Sequence, residues 1–273
     1  MIDAVATQIA ESTTEYAPFI ESNANDDAAQ LQAQMQSNGY VFFRALVPTD
    51  EVLELRRQAL ELCREAGWID ESKPLMDAYV KPGIAPTSEG HADYMAMYRK
   101  LLKTPLFHDL PARPELMQIA SALLQTDAFV HPRRIGRVTF PNNVVATTPP
   151  HQDHYYIRGA VETYSCWIPL GECPMSLGGL AVWPGSRHRG YIEHTVHSPG
   201  AVGGCGVPID EAQTLWHSSD FGLGDTLFFH SYTVHKALPN LSGDKLRLST
   251  DNRYQRPKDD IDPGALLPHF GSN

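Results

Sequence analysis

The sequence lacks any stretch of about 18 to 20 consecutive apolar residues, which is the length that a membrane-spanning helix requires. Its N-terminal segment (MIDAVATQIAESTTEY) has no basic start followed by an apolar run, as a secretory signal would have. Internal repeats and low-complexity segments are also missing, which excludes solenoid, fibrous and disordered classes. We therefore expect a globular protein that is located in the cytoplasm and is not associated with a membrane.

Cysteine is scarce, and its spacing excludes two further classes. The four cysteines are Cys63, Cys166, Cys173 and Cys205, and no two of them form a C-x-x-C pair. Such scattered cysteines are typical of free thiols in a reducing compartment. We expect neither a disulfide framework nor a cysteine zinc site.

Positive charge is in deficit. The chain has 22 Lys and Arg against 32 Asp and Glu, so its formal net charge is -10. Because such a balance repels phosphate backbones and anionic lipid, nucleic acid and membrane surfaces are not expected as partners. We expect a small-molecule substrate, and the sequence carries no indication of oligomeric state.

The pattern of hydrophobic residues changes near residue 125. The first part contains helical patterns at 26–37, 49–66, 92–103 and 114–124, with a strand-like run at 40–46. Thr49 is predicted to cap the second helix. Residues 69–90 are rich in proline and lack periodicity, and we expect them to form a lid or a loop that faces the substrate.

From residue 128 onward, short β-rich runs such as ETYSCWIPL and DTLFFH are bounded by Gly, Pro and Asn. Many short strands at modest spacing are typical of a sandwich or barrel. We predict a mostly β fold with flanking α-helices, a cupin-like jelly roll also called a double-stranded β-helix. The chain is expected to be a single domain, 1–273, with a helix-rich part at 1–125 and the jelly-roll core at about 126–256.

Two His-x-Asp motifs are present, and about one is expected by chance in a chain of this composition. His91-Ala92-Asp93 lies in a helical stretch without other ligand-type residues nearby, and we interpret it as a solvated helix start. In His151-Gln152-Asp153, alternate residues of an extended segment point to the same side. His151 and Asp153 can therefore converge on one metal ion.

A third metal ligand is expected on a later strand, and the segment DTLFFHSYTVHKAL offers His230 and His235. Their odd separation places them on opposite faces of a straight strand, so one of the two can face the metal. The residues alone leave this choice open. Two histidines and a carboxylate on one face of an octahedral ion leave sites for a bidentate co-substrate and oxygen, as in non-heme iron(II) oxygenases.

The last strand, KLRLSTDNRY, carries a polar row on one face, consisting of Arg247, Ser249, Asp251 and Arg253. A bound dicarboxylate would explain this inward polar row, because the planar fork of arginine suits a carboxylate and the contact contributes about 1.5 to 3 kcal/mol. Upstream of the metal segment, Arg137 and Thr148 are further candidates for contact with the co-substrate.

The block HQDHYYIRGAVETYSCWIPLGECPMSLGGLAVWPGSRHRG, followed by GDTLFFHSYTVHKALPNLSGDKLRLSTDNRY, resembles the phytanoyl-CoA dioxygenase (PhyH-like) family of Fe(II)/2-oxoglutarate oxygenases. The resemblance covers about 125–255 and depends on the order of HxD, W-x-P-L, a PGS segment, GD-x-x-F and a late H…R. It implies that His151, Asp153 and His235 bind iron and that Arg247 binds the C5 carboxylate of 2-oxoglutarate. On this basis His235 is favoured over His230. The sequence departs from the family at Arg187-His188, where the family has His directly after PGS.

The implied function is hydroxylation of an aliphatic C–H group of a small molecule, with Fe(II), 2-oxoglutarate and O2, in natural-product (secondary-metabolite) biosynthesis. One alternative is a catalytically silent protein of the same fold that binds 2-oxoglutarate or a metal. Another is a metal-dependent, cupin-like hydrolase or isomerase. The remaining histidines are assigned no role: His217 and His230 are expected to be packed in the interior, and surface or loop positions are expected for His131, His194, His197 and His269.

Overall fold

The computed structural model describes residues 16–270, so the N-terminal segment considered above lies, except for its last residue, outside the described part. The α-helices in this range are α1 (Ala28–Asn38), α2 (Thr49–Glu65), α3 (Ala92–Leu101), α4 (Pro105–Asp109), α5 (Pro114–Leu124) and α6 (Asp153–Ile157). The strands are β1 (Tyr16–Ala17), β2 (Tyr40–Phe43), β3 (Phe129–Val130), β4 (Ile135–Thr139), β5 (Thr163–Pro169), β6 (Leu180–Val182), β7 (Val196–His197), β8 (Cys205–Gly206), β9 (Trp216–His217), β10 (Thr226–His230), β11 (His235–Ala237) and β12 (Arg247–Gln255). Within 16–270, no helix has both the length and the apolar character needed to cross a bilayer.

Two sheets form the walls of the β-rich part. The larger sheet has the strand order β2-β10-β5-β12-β3, and β4 also pairs with β12. The smaller sheet has the order β1-β9-β6-β11, and β7 pairs with β8 as a separate ribbon. Pairing is antiparallel except between β1 and β9. From β9 to β12, consecutive strands alternate between the two sheets.

The larger sheet is buried on both faces. Side chains of successive residues point to opposite sides of a strand, so neighbouring residues of this sheet belong to different hydrophobic clusters. Phe228 of β10 and Cys166 of β5 belong to the hydrophobic core that this sheet shares with α1, α2, α3 and α5. Their neighbours Leu227 and Trp167 belong instead to a second hydrophobic cluster, which also contains Leu180 of the smaller sheet. The helix-rich first part therefore covers the outer face of the larger sheet, and the inner face is left to form the site.

The four cysteines are buried and free, as predicted. Two predicted boundaries were wrong. Thr49 lies inside α2 rather than capping it, because Pro48 occupies the capping position and no side chain makes a capping hydrogen bond there. The strand at 40–46 ends at Phe43, because Ala45 adopts a positive φ of 45° and donates its N–H to the carboxylate of Asp225.

The turn between β10 and β11 is anchored on Gly39, which follows α1. The carbonyl oxygen of Gly39 accepts hydrogen bonds from His230 N (3.0 Å) and from Thr233 Oγ1 (2.8 Å). Gly39 has a φ of 78°, and a Cβ at this position would lie 2.6 Å from Thr233 Oγ1. The condition under which His230 and His235 would lie on opposite faces, a straight strand through both, is not met, because the chain turns here from β10 in the larger sheet to β11 in the smaller one.

We predict that Gly39→Ala lowers the free energy of unfolding by about 1 to 3 kcal/mol more than Gly67→Ala does, because only the first variant forces a methyl group against a packed side chain. Gly67 is the matched control, since its φ is 79° and nothing lies within 4 Å of its Cβ position. Urea denaturation of the two variants measures the difference. Equal losses would show that the positive φ alone, and not the contact with Thr233, makes glycine necessary.

Candidate metal centre

The structure brings the three predicted metal ligands together in the interior. His151 and His235 are joined by two backbone hydrogen bonds of 2.9 and 3.0 Å, and Asp153 is the first residue of α6. Nε2 of His151 lies 3.7 Å from Asp153 Oδ1, and Nε2 of His235 lies 3.8 Å from the same oxygen. All three side chains are buried, and their donor atoms lie within 4.8 Å of one another. This spacing is compatible with three bonds to one ion.

The local backbone differs from the expected extended segment. His151 forms a single bridge to His235, Gln152 is extended (φ −112°, ψ 131°), and α6 begins at Asp153. The amide of the Gln152 side chain donates to the carbonyl oxygens of Gly190 and Tyr232, which holds this segment in place. Because His151 and Asp153 flank one extended residue, their side chains converge although no regular strand is present.

Both imidazoles are oriented by their own chain. Nδ1 of His151 lies 2.8 Å from the carbonyl oxygen of Pro149, and Nδ1 of His235 lies 3.0 Å from that of Thr233. A carbonyl only accepts, so Nδ1 carries the proton in each ring and the lone pair of Nε2 faces Asp153. Burial lowers the pKa of His235 to about 3, and the neighbouring His151 contributes to the shift. His235 is therefore neutral at pH 7, as a metal ligand must be.

Asp153 is held as a carboxylate with one oxygen free for a metal. Its Oδ2 accepts hydrogen bonds from Ser165 Oγ and from Nη2 of Arg253, the latter at 3.0 Å. Burial favours the neutral acid, but the positive charge of Arg253 opposes it, and the pKa of Asp153 lies well below its ordinary value. Arg253 was predicted to belong to the inward polar row, but no sequence pattern indicated its contact with Asp153.

We predict that Arg253→Gln weakens metal binding by about 10- to 100-fold, because the partner that orients and ionises Asp153 is lost. Anaerobic titration with Fe(II) or Co(II) measures the affinity. Arg256→Gln is the control, since Arg256 is on the same chain segment but donates to the carbonyl oxygen of Leu124 instead. An unchanged affinity in Arg253→Gln would show that Asp153 needs no support from this arginine.

A small cavity adjoins the three candidate ligands, and we call it the inner cavity. All six residues that the sequence predicts for the site line it, namely Arg137, Thr148, His151, Asp153, His235 and Arg247. Trp167, Leu180 and Ala237 supply its apolar wall. The predicted polar row of β12 faces this cavity through Arg247, Asp251 and Arg253.

Arg247 is a buried cation without a carboxylate partner. Only 4% of its surface is exposed, and within 16–270 no acidic side chain lies within 4.0 Å of its guanidinium. Nη1 donates to Ser249 Oγ (2.9 Å), Nη2 donates to Thr139 Oγ1 (2.8 Å), and the buried Nε has no partner among the described residues. A buried charge requires a compensating charge, so the geometry fits an anion in the inner cavity.

Arg137 is in a different electrostatic situation. Its Nη1 lies 2.9 Å from Glu89, and its Nε lies 3.2 Å from Asp251, so two carboxylates already neutralise it. The main chain of Thr148 is fixed, because its carbonyl oxygen accepts a hydrogen bond from the backbone N–H of Ala237. Direct contact of Arg137 or Thr148 with a co-substrate stays a prediction.

A second cavity of about 170 Å³, here called the outer cavity, shares Arg137, Thr148, His151, Asp153 and Arg253 with the inner one. Glu89, at the end of the proline-rich loop, also lines it, so part of this loop faces the site as expected. His131 and His269 lie outside helices and strands, as the expectation of surface or loop positions allows, but both are buried and line this cavity. His194 is buried too, and only His197 is exposed.

Two imidazoles and a carboxylate facing a buried arginine, between the sheets of a β-rich fold, define the class of non-heme iron oxygenases that use 2-oxoglutarate. Within this class, the chain belongs to the Phytanoyl-CoA dioxygenase (PhyH) family, whose profile matches residues 35–248. The resemblance seen in the sequence is thereby confirmed.

Relatives and solved structures agree with this placement. The chain is 28% identical over 257 residues to 1-deoxypentalenic acid 11-beta-hydroxylase of Streptomyces exfoliatus, covering 89% of this chain and 86% of that protein. The structure of the epimerase SnoN in complex with Fe3+, alpha ketoglutarate and nogalamycin RO superposes with a TM-score of 0.65 at 18% identity, covering 90% and 92%. EctD from S. alaskensis with 2-oxoglutarate and 5-hydroxyectoine gives 0.58 at 19% identity, covering 92% and 90%. These likenesses confirm the predicted jelly-roll fold.

Proposed function

We propose that this protein is an Fe(II)- and 2-oxoglutarate-dependent dioxygenase that hydroxylates an aliphatic C–H group of a small natural-product intermediate. The observation that carries the proposal is the buried guanidinium of Arg247, which lacks a carboxylate partner in the described part of the chain and faces the same cavity as His151, Asp153 and His235. A dicarboxylate co-substrate accounts for the metal-ligand set and for Arg247 together, because one end can reach the metal and the other can pair with Arg247.

The names of the relatives support the natural-product assignment. The Streptomyces protein is named as a hydroxylase of 1-deoxypentalenic acid, and SnoN was solved with nogalamycin RO. Asp153 also favours hydroxylation, since a carboxylate at this position takes the coordination site that a halide would need. An oxygenated small molecule is therefore the product that we expect.

Each group of the site has a defined task. His151, Asp153 and His235 would hold Fe(II), which supplies activation of O2 at the expense of 2-oxoglutarate when it is bound. Arg247 binds the C5 carboxylate, and Ser249 and Thr139 keep its guanidinium directed into the inner cavity. The walls of the outer cavity position the substrate beside the metal ligands and exclude bulk water.

We also propose that residues 1–273 work as one catalytic domain that acts on a small molecule. Support comes from the largest hydrophobic core, in which Leu31 of α1 and Leu55 of α2 are joined with Phe228 of β10 and Leu248 of β12. The helix-rich part thus shares its core with the sheet that carries Arg247.

Succinate release tests the proposal. The protein is incubated with 2-oxoglutarate and Fe(II) in air, with small molecules of natural-product type added in turn, and products are examined for one added oxygen atom by mass spectrometry. We expect succinate only when Fe(II), 2-oxoglutarate and O2 are all present. Binding of 2-oxoglutarate without any succinate would favour the silent binding protein, and turnover without O2 and 2-oxoglutarate would favour a hydrolase or isomerase.

A further inference from the structure

The outer cavity contains one arginine that differs from the others. Arg133, Arg137 and Arg253 all line this cavity. Arg137 is paired with Glu89 and Asp251, and Arg253 is paired with Asp153 at 3.0 Å. For Arg133, residues 16–270 provide neither an acidic group within 4.0 Å nor a side-chain hydrogen bond. Among the three arginines of the cavity wall, Arg133 is thus the one whose guanidinium has no ion-pair partner within 4.0 Å in the described residues.

The backbone and the surroundings hold Arg133 in this position. The backbone N–H of Arg133 donates to the carbonyl oxygen of Ala265 (3.2 Å). The side chain passes close to Gly264, because Nη1 lies only 3.5 Å from the point where a Cβ on that glycine would be. The nearby carboxylate of Asp262 accepts a hydrogen bond from Gly264 N instead. Burial lowers the pKa of Arg133 and the positive charge of Arg253 adds to this shift, while the carboxylates of Asp262 and Glu89 offset it only in part. A bound anion would relieve both effects.

The two buried histidines beside Arg133 do not supply further charge. Burial lowers the pKa of His131 to about 4 and that of His269 to about 2, so both rings are neutral at pH 7. Nε2 of His131 lies 2.7 Å from Gln255 Oε1, and Nδ1 of His269 lies 2.8 Å from Tyr98 Oη. Charge recognition at this end of the cavity therefore depends on Arg133.

The rest of the outer wall is partly polar, through Glu89, Thr148 and Tyr156, and partly apolar. Glu89 is paired with Arg137, so its charge is already compensated. The apolar part is the surface available to a hydrocarbon group. It contains Ile135, Ile157, Ala265 and Phe270, and the metal ligands His151 and Asp153 belong to the same wall. A ligand that fits this distribution has one anionic group and a compact hydrocarbon body. Arginine offers two parallel N–H donors that match one carboxylate, whereas a doubly charged phosphate would leave one charge without a partner.

We propose that the substrate is a small organic acid with a compact apolar skeleton, whose carboxylate binds Arg133 and whose hydrocarbon part lies against the wall beside the metal centre. The proposal rests on the proposed function, because it assigns the outer cavity to the substrate of that reaction. Arg133 then determines specificity, by selecting acids over their neutral esters and amides.

Calorimetric titration with matched pairs of probes tests the proposal. The probes are the carboxylates of adamantane, cyclohexane and decalin and the corresponding carboxamides, added without O2 to protein loaded with Fe(II) and saturated with 2-oxoglutarate, so that the inner cavity is filled. We expect at least one acid to bind about ten- to a hundredfold more tightly than its amide, as a charge-assisted pair predicts. Arg133→Gln should abolish this difference without changing the affinity for the amide.

Two further variants serve as controls. Arg133→Lys keeps the charge but not the planar fork and should retain part of the preference for acids. Arg99→Gln removes an exposed guanidinium of α3 and should change neither affinity. The proposal is wrong if no acid of the panel binds wild-type protein more tightly than its amide, or if folded Arg133→Gln keeps the preference. If thermal melting shows that Arg133→Gln does not fold, Arg133→Lys is compared with wild type instead. A reduced preference for acids in Arg133→Lys then supports the proposal, and an unchanged preference contradicts it.

The outcome is separable from that of the proposed function. Succinate release from 2-oxoglutarate without any preference for acids would contradict only the assignment of Arg133. A preference for acids that depends on Arg133, in a protein that releases no succinate, would contradict only the oxygenase. A phosphonate that binds more tightly than the matched carboxylate, and loses this advantage in Arg133→Gln, would overturn the choice of carboxylate.

Discussion

His235→Ala is expected to reduce succinate release by about a thousandfold or more, because the three metal ligands act as a unit and two of them do not hold the ion in a reactive geometry. Succinate formed from 2-oxoglutarate in the presence of Fe(II) is the measurement. Metal content after anaerobic dialysis should fall in parallel, since His235, whose Nε2 lies 3.8 Å from Asp153 Oδ1, would be one of the three residues that hold the metal. Turnover that survives this change would disprove the assignment of the metal centre.

His230→Ala is the matched control from the same chain segment. His230 is buried at the end of β10, where its Nδ1 accepts a hydrogen bond from the backbone N–H of Tyr232 and its Nε2 lies 3.5 Å from Glu162. We expect a lower melting temperature from the lost packing and hydrogen bond, but succinate release per folded molecule close to wild type. A thousandfold loss in both variants, with both chains folded, would mean that catalysis does not distinguish the two histidines.

Arg247→Met is expected to raise KM for 2-oxoglutarate by about 10- to 100-fold, because a charge-assisted hydrogen bond of about 1.5 to 3 kcal/mol is lost. The change in kcat at saturating co-substrate should be much smaller, because Arg247 contacts the end of the co-substrate that does not react. Steady-state kinetics of succinate formation separate the two constants. Since Met fills a similar volume without charge, the variant should not lose stability, and the buried cation is removed together with its cost.

The choice of co-substrate provides the internal control for Arg247. The wild-type protein should prefer 2-oxoglutarate strongly over 2-oxovalerate, which lacks the C5 carboxylate, and Arg247→Met should lose most of this preference. Thr139→Val removes one acceptor of the guanidinium and should raise KM by only a few fold. If Arg247→Met kept the wild-type preference, another residue would hold the carboxylate, and Arg137 would be the first to examine.

Much of this site could be predicted from the sequence because its signals are local or keep a fixed order. His151 and Asp153 are two residues apart, and β12 presents Arg247 and Arg253 on one face through its own periodicity. The helix α5 has the predicted bounds, since its apolar residues recur at helical spacing between Pro114 and a turn at Gln125. The order of the motifs, more than any one of them, indicated the family.

Other features depend on contacts between residues that are far apart in the sequence. Asp153 and Arg253 are separated by 100 residues, and Arg137 meets Glu89 and Asp251 from two different parts of the chain. No local pattern distinguishes a paired arginine from an unpaired one. The different electrostatic states of Arg137 and Arg247 were therefore not predictable.

The amino-acid sequence by itself determined the class of fold, the identity of the metal-ligand types and the family, because these depend on residue order and short-range spacing. Only the tertiary structure decided which charges are neutralised, which histidines are buried and where the chain passes from one sheet to the other. The physical reason is that burial and ion pairing are properties of the space around a side chain, and that space is created by distant segments when they pack.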